Sequence, residues 1–523
     1  MLFTSVKMGL LGLFAAVLAG AAATAVAAPV PLTSAFVSSS GVFPSLTAAA
    51  PSAVRSESGH GALMAWAGSL WAVSYLSVHN AGAGTGLFRI DENMVQTQVA
   101  WHNSTYANRL MVPGMESIVI GPYVIDLQGN VRVLEQLLTV RVGGMAEHIT
   151  NPATRVYMLG MDGPLWDCDL VSLNCTQLFD LVKELDIPAA AGEQPHFKAA
   201  HTMNGTLWVC SNTFEENDAL GVQHGGRLAT WNGGAADPWV ILERTAFTEV
   251  TGRHNFGKVV FAVGWDDKSV ILKVLDNGDG GENAYPPTTY RLPKASHAYD
   301  HLWTTEWPRI REVETERYLM DMHGLFYELP PLAWGGAVWG IKPIAQHLRM
   351  VPDFCSWRGF LVLGGNQVSS IFDNNLVTGE SQSGLWMGKT DDLWQFGKPQ
   401  GWGGVWLNEP VSDKQISDPF LMTGFDKKVV HVTWTAPCGG GTDSIILDVD
   451  FLGNAGHINN IGAVQGWSPL VAVPLDSSKL PPAGTDTVFS THYAFEAGLS
   501  AHWVRARASL NSPCNITVWF TYT

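Results

Sequence analysis

Basic residues are scarce in this chain: 31 Lys and Arg stand against 47 Asp and Glu over 523 residues, a formal net charge of −16. No basic stripe is left to neutralise phosphates, so nucleic acid is excluded as a partner. An anionic polysaccharide is not excluded, because a focused pocket can gather Arg and His inside an acidic exterior. Past the N-terminus no apolar run reaches the length of a membrane span. Long amphipathic helices are absent, with only a short one expected at 178–185, and neither a CxxC nor an HExxH spacing occurs.

What is present begins with residues 1–27, where Lys7 precedes the run GLLGLFAAVLAGAAATAVAA and its closing Ala-Val-Ala. This reads as a secretory signal peptide; a membrane anchor fits less well, since the run is Ala-rich and lacks aromatic flanks. The protein is therefore expected to be secreted and extracellular. Six cysteines then permit disulfides. Cys168 and Cys175 flank the hairpin-like CDLVSLNC, and Cys438 with Cys514 is the second expected pair. Cys210 and Cys355, inside strand-like runs, read as free buried thiols or as a metal ligand. Sequons at Asn103, Asn174, Asn204 and Asn515 fit a secreted glycoprotein.

Short apolar and aromatic runs such as ALMAWAGSLWAVSYL, SIVIGPYVID, GTLWVCSN and VVFAVGWD recur between Gly, Asn, Asp and Pro turns. That pattern predicts many antiparallel strands. Spread over some 400 residues, it favours radial repetition of small sheets, a β-propeller, over one sandwich. From about Gly424 the texture changes to alternating strands (VVHVTWTA, DSIILDVDFLG, HWVRARASL, CNITVWFTYT). These predict a small C-terminal β-sandwich-like module. The expected organisation is a signal peptide at 1–27, a catalytic propeller at 28–425 and a β-rich accessory module at 426–523.

Longer strings carry more: HFKAAHT (196–202), ERTAFTEVTGRHNFG (243–257), FAVGWD (261–266), TTEWPRIREVETERYLMDMHGLFYELP (304–330), VPDFCSWRGFLVLGG (351–365), SGLWMGKTDDLWQFGKP (383–399), DPFLMTGFDKK (418–428) and GLSAHWVRA (498–506). Together they resemble the secreted seven-bladed β-propeller L-rhamnose-α-1,4-D-glucuronate lyase family, with the propeller ulvan lyases and propeller α-L-rhamnosidases as more distant likenesses. The resemblance implies the blade number, an acidic plant or algal polysaccharide as partner, and action as a monomer. It also implies a lyase that cleaves the rhamnose–glucuronate linkage of gum arabic-like side chains by β-elimination. The alternatives are an α-L-rhamnosidase of the same fold, an ulvan-type lyase, or a non-catalytic propeller that binds uronate glycans.

Elimination from a 4-linked uronate needs a group to neutralise the carboxylate, a base for the C5 proton and an acid for O4. No cofactor is required for that chemistry. Arg suits the first role and His or Tyr the others. The resemblance places the roles on His60, His79, Tyr123 and Arg141, with His196 and His201 orienting the sugar. Arg141 with His60 would neutralise the carboxylate, and Tyr123 and His79 would divide base and acid. Each His also has the plainer reading of a hydrogen-bonded strand-end residue, and Tyr123 that of core packing beside Pro122. His102 and Tyr106 compete less well, because the sequon at Asn103 argues for an exposed loop. The run Glu306, Arg309, Arg311, Glu312, Glu314, Glu316, Arg317 mixes signs and predicts structural ion pairs rather than catalytic carboxylates. His301, His323 and Cys355 are the candidate ligands of a structural divalent metal, since imidazole and thiolate suit zinc. Most of the 21 tryptophans are expected to pack blades, with Trp66, Trp303 and Trp402 candidates for stacking on sugar.

Overall fold

Turn residues cut the apolar runs into strands too short to stand alone, and the computed structural model joins them as four-stranded antiparallel meanders. It describes residues 41–43, 57–76, 85–102, 104–188, 193–215, 225–253, 259–276, 287–295, 307–334, 337–347, 351–368, 384–455, 466–479 and 488–523. The expected signal peptide, His79, Asn103, His301, Trp303 and Glu306 lie outside these residues. Ser40–Thr523 forms one compact unit.

Among the described residues meanders follow one another whose first strands are Glu57–Trp66, Arg109–Val112, Val142–Glu147, Phe197–Met203, Ala246–Gly252, Arg309–Glu314 and Phe354–Trp357. Each of these first strands touches the next, and Phe354–Trp357 returns to Glu57–Trp66, closing a ring. The fold is thus a β-propeller with the first strands around its axis. The last meander takes its fourth strand from the other end of the chain: Gly41–Phe43 pairs antiparallel with Leu385–Gly388.

Local chemistry explains the register. In the second meander Ile118 faces Ile125 and Val119 faces Val124 across the two-residue turn Gly121-Pro122. Gly121 has φ +56°, and a Cβ there would lie 3.1 Å from the Tyr106 ring, so the turn demands glycine twice over. Apolar faces of neighbouring meanders then close on each other. Val119, Ile125, Val142, Met158 and Cys168 share one such layer, and Tyr157, Leu159, Phe197, Val209 and Trp231 the next. The expected helix at 178–185 shrinks to one turn, Leu181–Glu184, after the strand Asn174–Asp180.

Two further sheets pack face to face around Val430, Trp434, Ile445, Leu447, Val504 and Val518, forming the C-terminal sandwich-like module. Its strands begin with Gly401–Val411, which pairs with Cys514–Tyr522, so the module draws in chain upstream of the expected 425/426 boundary. Register shifts at Gly404/Trp406 and Trp406/Glu409 break the alternation of this strand, which hides it from a period-two reading. A parallel pairing of Arg291 with Phe420 joins the module to the fifth meander. Arg291 reinforces the joint by bonding Asp266 and Asp418, each at 2.9 Å. Both expected disulfides form, Cys168–Cys175 across a hairpin and Cys438–Cys514 within the module, leaving Cys210 and Cys355 free and buried.

Candidate functional site

First strands that all run the same way around a ring bring their starting residues to one mouth of the axis. The parallel bridge between Tyr106 and Val142 shows that common direction. Arg141 sits immediately before Val142–Glu147, while His196 and Lys198 open the strand Phe197–Met203. Arg141 is 23% exposed and grips Asp162 with two bonds, Nη2 to Oδ1 at 2.6 Å and Nε to Oδ2 at 3.3 Å. His196 is buried beside it. Burial, then the positive charges of Lys198 and Arg141, hold its imidazole well below the usual range against a raising bond with Asn212. His196 is consequently neutral at pH 7, a proton acceptor next to fixed cations.

Beneath this group the Lys198 ammonium lies 4.2 Å above the Trp307 ring, and Trp307 packs on Tyr75 at 4.5 Å between ring centres. Cations with aromatic faces can hold an acidic sugar: guanidinium and ammonium take the carboxylate, and an indole matches the apolar face of a pyranose. Beside it, also near the starts of the first strands, lies a buried ion cluster. Asp353 bonds Arg311 at 2.8 Å and Arg109 at 3.3 Å, and Glu249 lies 3.3 Å from Arg311 and 3.6 Å from Arg309. Arg311 also donates to Asn108 Oδ1 at 2.7 Å, tying the cluster to the second meander. Burial pushes the Glu249 carboxyl up against the pull of Arg311 and Arg309. Asp353 ends below the usual carboxylate range: burial opposes ionisation there, but Arg311, Arg109 and Arg309 outweigh it.

The expected site residues are dispersed differently. His60 is fully buried on its first strand, where Nδ1–H donates to the Gly365 carbonyl at 3.2 Å, and burial pushes its imidazole down to about 4. Tyr123 opens the third strand of its meander and is 1% exposed. Its hydroxyl lies 3.0 Å from His102 Nδ1, while His102 Nε2 lies 3.0 Å from the Ser74 carbonyl. A carbonyl only accepts, so Nε2 carries the proton and Tyr123 donates to Nδ1. Tyr123 is therefore held in the wall, and burial raises its phenol far above the usual value. His201 falls five positions beyond His196, roughly 16 Å along the strand at about 3.3 Å per residue. It lies toward the other end of the axis, near Gly252.

His102 and Tyr106 correct the expectation of an exposed loop. Both are buried, their rings meet edge-on at 4.5 Å, and the Tyr106 hydroxyl donates to the carbonyls of Leu137 and Leu138. The mixed-sign run does form ion pairs. Arg309 and Arg311 enter the axial cluster, Glu312 meets Arg253 at 3.6 Å, and Arg317 lies between Glu314 and Glu328. Of the candidate metal ligands, His323 sits at a turn with φ +51° and its ring edge-on to Trp265. Cys355 neighbours Arg109 and Asp353 instead, and burial pushes its thiol up to about 12. Among the described residues no group of three or more His, Cys, Asp or Glu is arranged to hold a metal ion. Trp66 is half-buried and donates Nε1 to the Asp126 carbonyl at 2.9 Å; Trp402 is half-buried in the terminal module.

Lys198, Asn212, Glu249, Trp307 and Asp353 were not singled out by sequence reasoning. A signal existed for Lys198 and Glu249, each a charged residue inside an otherwise apolar strand. No signal marked Asn212 or Trp307, whose neighbours come from other meanders.

No family model matches this chain, and no curated protein matches it. Among solved structures it is similar to U3-55K, at 8% identity over 67% of this chain and 98% of that one, with a TM-score of 0.37. The RRP9 WD40 repeats match at 9% identity over 66% and 99% of the two chains, with a TM-score of 0.36. The β-propeller domain of Myceliophteria thermophila Cps50 (Swd1) matches at 10% identity over 62% and 96%, with a TM-score of 0.35.

Proposed function

We propose that the chain is a secreted, seven-bladed β-propeller lyase that cleaves L-rhamnose-α-1,4-D-glucuronate linkages of an acidic plant or algal polysaccharide. The observation that carries this reading is that Arg141 and the neutral His196 meet at the mouth over the buried Lys198 ammonium, in a chain of net charge −16. A ring of seven first strands supports the blade number, and two disulfides support export to an oxidising compartment.

In the proposed reaction Arg141 and Lys198 hold the glucuronate carboxylate and draw electron density from C5. His196 accepts the C5 proton, the electron pair forms the C4–C5 double bond, and the C4–O4 bond breaks. Rhamnose leaves after O4 is protonated; the family resemblance divides base and acid between Tyr123 and His79, and with Tyr123 held in the wall this proposal gives the acid role to His79, outside the described residues. Asp162 orients Arg141 through its two bonds.

The test incubates the purified chain with gum arabic and follows free rhamnose together with the ultraviolet absorbance of the unsaturated uronate. Both signals are expected, and Arg141→Ala is expected to lower them by about a hundredfold or more, the usual scale for a lost charge-stabilising donor. Rhamnose without absorbance would instead mark hydrolysis, and neither signal would leave a glycan-binding propeller.

A further inference from the structure

Among the described residues the axial ion cluster holds more guanidiniums than carboxylates. Three guanidiniums, Arg109, Arg309 and Arg311, face two carboxylates, Glu249 and Asp353, and Arg309 approaches the Trp307 indole at 5.5 Å. Arg311 takes the better share of both carboxylates. Arg309 is fully buried, yet only its Nη1 is engaged, with the Pro308 carbonyl at 2.9 Å and Glu249 at 3.6 Å. Its Nε and Nη2 have no acceptor among the described residues, and neither does Nε1 of the buried Trp307 two residues earlier. Buried donors of a charged group are costly to leave unmatched, so something must accept these hydrogens. They are all donors and the surrounding charge is positive; a cation is thereby excluded and an anion favoured over neutral water.

We propose that Arg309 and Trp307 form a buried binding site for a small monoanion, of halide or simple carboxylate size, on the propeller axis near the mouth. The anion would accept from Arg309 Nε and Nη2 and Trp307 Nε1 and compensate the surplus guanidinium charge. Its role is to pin the first strands of the fifth and sixth meanders, which carry Glu249 and Arg309, to the floor of the mouth. This inference does not depend on the proposed lyase activity, because its readout is stability.

The test measures thermal unfolding of the full chain at fixed ionic strength, with the bulky sulfonate of MES as the background anion and sodium bromide or sodium acetate titrated against it. A bound anion stabilises by mass action, so the midpoint rises with the logarithm of the probe above its dissociation constant. The wild-type chain is expected to respond in this way to bromide, to acetate, or to both, and the pattern tells halide from carboxylate. In Arg309→Gln and Trp307→Phe the probe concentration needed for the same rise should increase at least tenfold. Trp307→Phe keeps the ring and loses only Nε1–H, so it decides the matter even where Arg309→Gln does not fold. Equal responses in wild type and Trp307→Phe, or none to either probe in the wild type, would show that water alone satisfies these donors. A bromide-soaked crystal adds an independent readout: an anomalous peak within hydrogen-bond distance of Arg309 is expected, and its absence overturns the site.

Discussion

His60 and His102 are both held neutral by burial, each pushed from 6.5 down to about 4, with backbone bonds to Gly365 and Ser74 only partly opposing the shift. Since the folded-state value lies below the unfolded one, the unfolded chain binds protons first as pH falls. Stability is therefore complete above about pH 6.5 and drains between 6.5 and 4, by about 3 kcal/mol for each histidine at 1.36 kcal/mol per unit. Asp353, held below the usual carboxylate range, adds loss only below about pH 3.8. Urea unfolding at pH 7, 6 and 5 should show the decline; a flat profile would contradict it. Tyr123→Phe belongs to the same scale. It removes the donor to His102 Nδ1 and should destabilise by about 1–3 kcal/mol in denaturant melts. If Tyr123 instead served catalysis from the wall, activity would vanish with stability unchanged.

Strands approach one another around the axis closely enough that particular glycines are obligatory. A Cβ on Gly143 would stand 2.0 Å from the Phe197 carbonyl, and one on Gly61 would stand 1.8 Å from the Tyr106 carbonyl. Both obstacles are backbone from the neighbouring meander, so nothing flexible can move aside. Gly143→Ala should cost about 1–3 kcal/mol or more by overpacking, seen as a lowered unfolding midpoint. Gly205→Ala, in the turn after Phe197–Met203, is the control, where a Cβ would meet nothing within 4 Å and only the φ of +75° is strained. A smaller loss at Gly143 than at Gly205 would sink the close-packing account. Burial explains what the sequence showed at this scale: strands such as Ser117–Ile120 and Val259–Trp265 are buried on both faces and so read as short continuous apolar runs between turns.

Two covalent links and one strand pairing hold the whole molecule. Cys438–Cys514 closes a loop with a sequence separation of 76, against 7 for Cys168–Cys175. On chain-entropy grounds the Cys438→Ser, Cys514→Ser pair should destabilise by about 4 kcal/mol and the Cys168→Ser, Cys175→Ser pair by about 2. Calorimetry of the two double variants checks the order, and a reversed order would mean that native contacts, not loop closure, set the difference. Ring closure depends on Gly41–Phe43 beside Leu385–Gly388. Deleting 41–43 should therefore speed hydrogen exchange in Leu385–Gly388 and Phe360–Leu363 before it affects the third meander.

The composition and the turn-punctuated apolar runs by themselves pointed to an all-β chain, radial repetition, a separate texture at the C-terminus and the hairpin pair Cys168–Cys175. Those are local properties: alternation, turn residues and hairpin spacing act over a few positions, whereas Cys438 and Cys514, 76 positions apart, are paired by the fold. The acidic balance likewise argues against a nucleic-acid partner without reference to shape. Which charges meet was decided only by the tertiary structure. Lys198, Asn212 and Trp307 come from separate strands and connections, and Arg309 reaches Glu249 across 60 positions of sequence only because the ring sets their strands side by side. Tyr123 and His201 carried chemistry on paper, but strand position sent one into the wall and the other toward the far end of the axis. A residue type states what a side chain can do; burial and neighbours, which closure of the ring alone supplies, decide whether it does so.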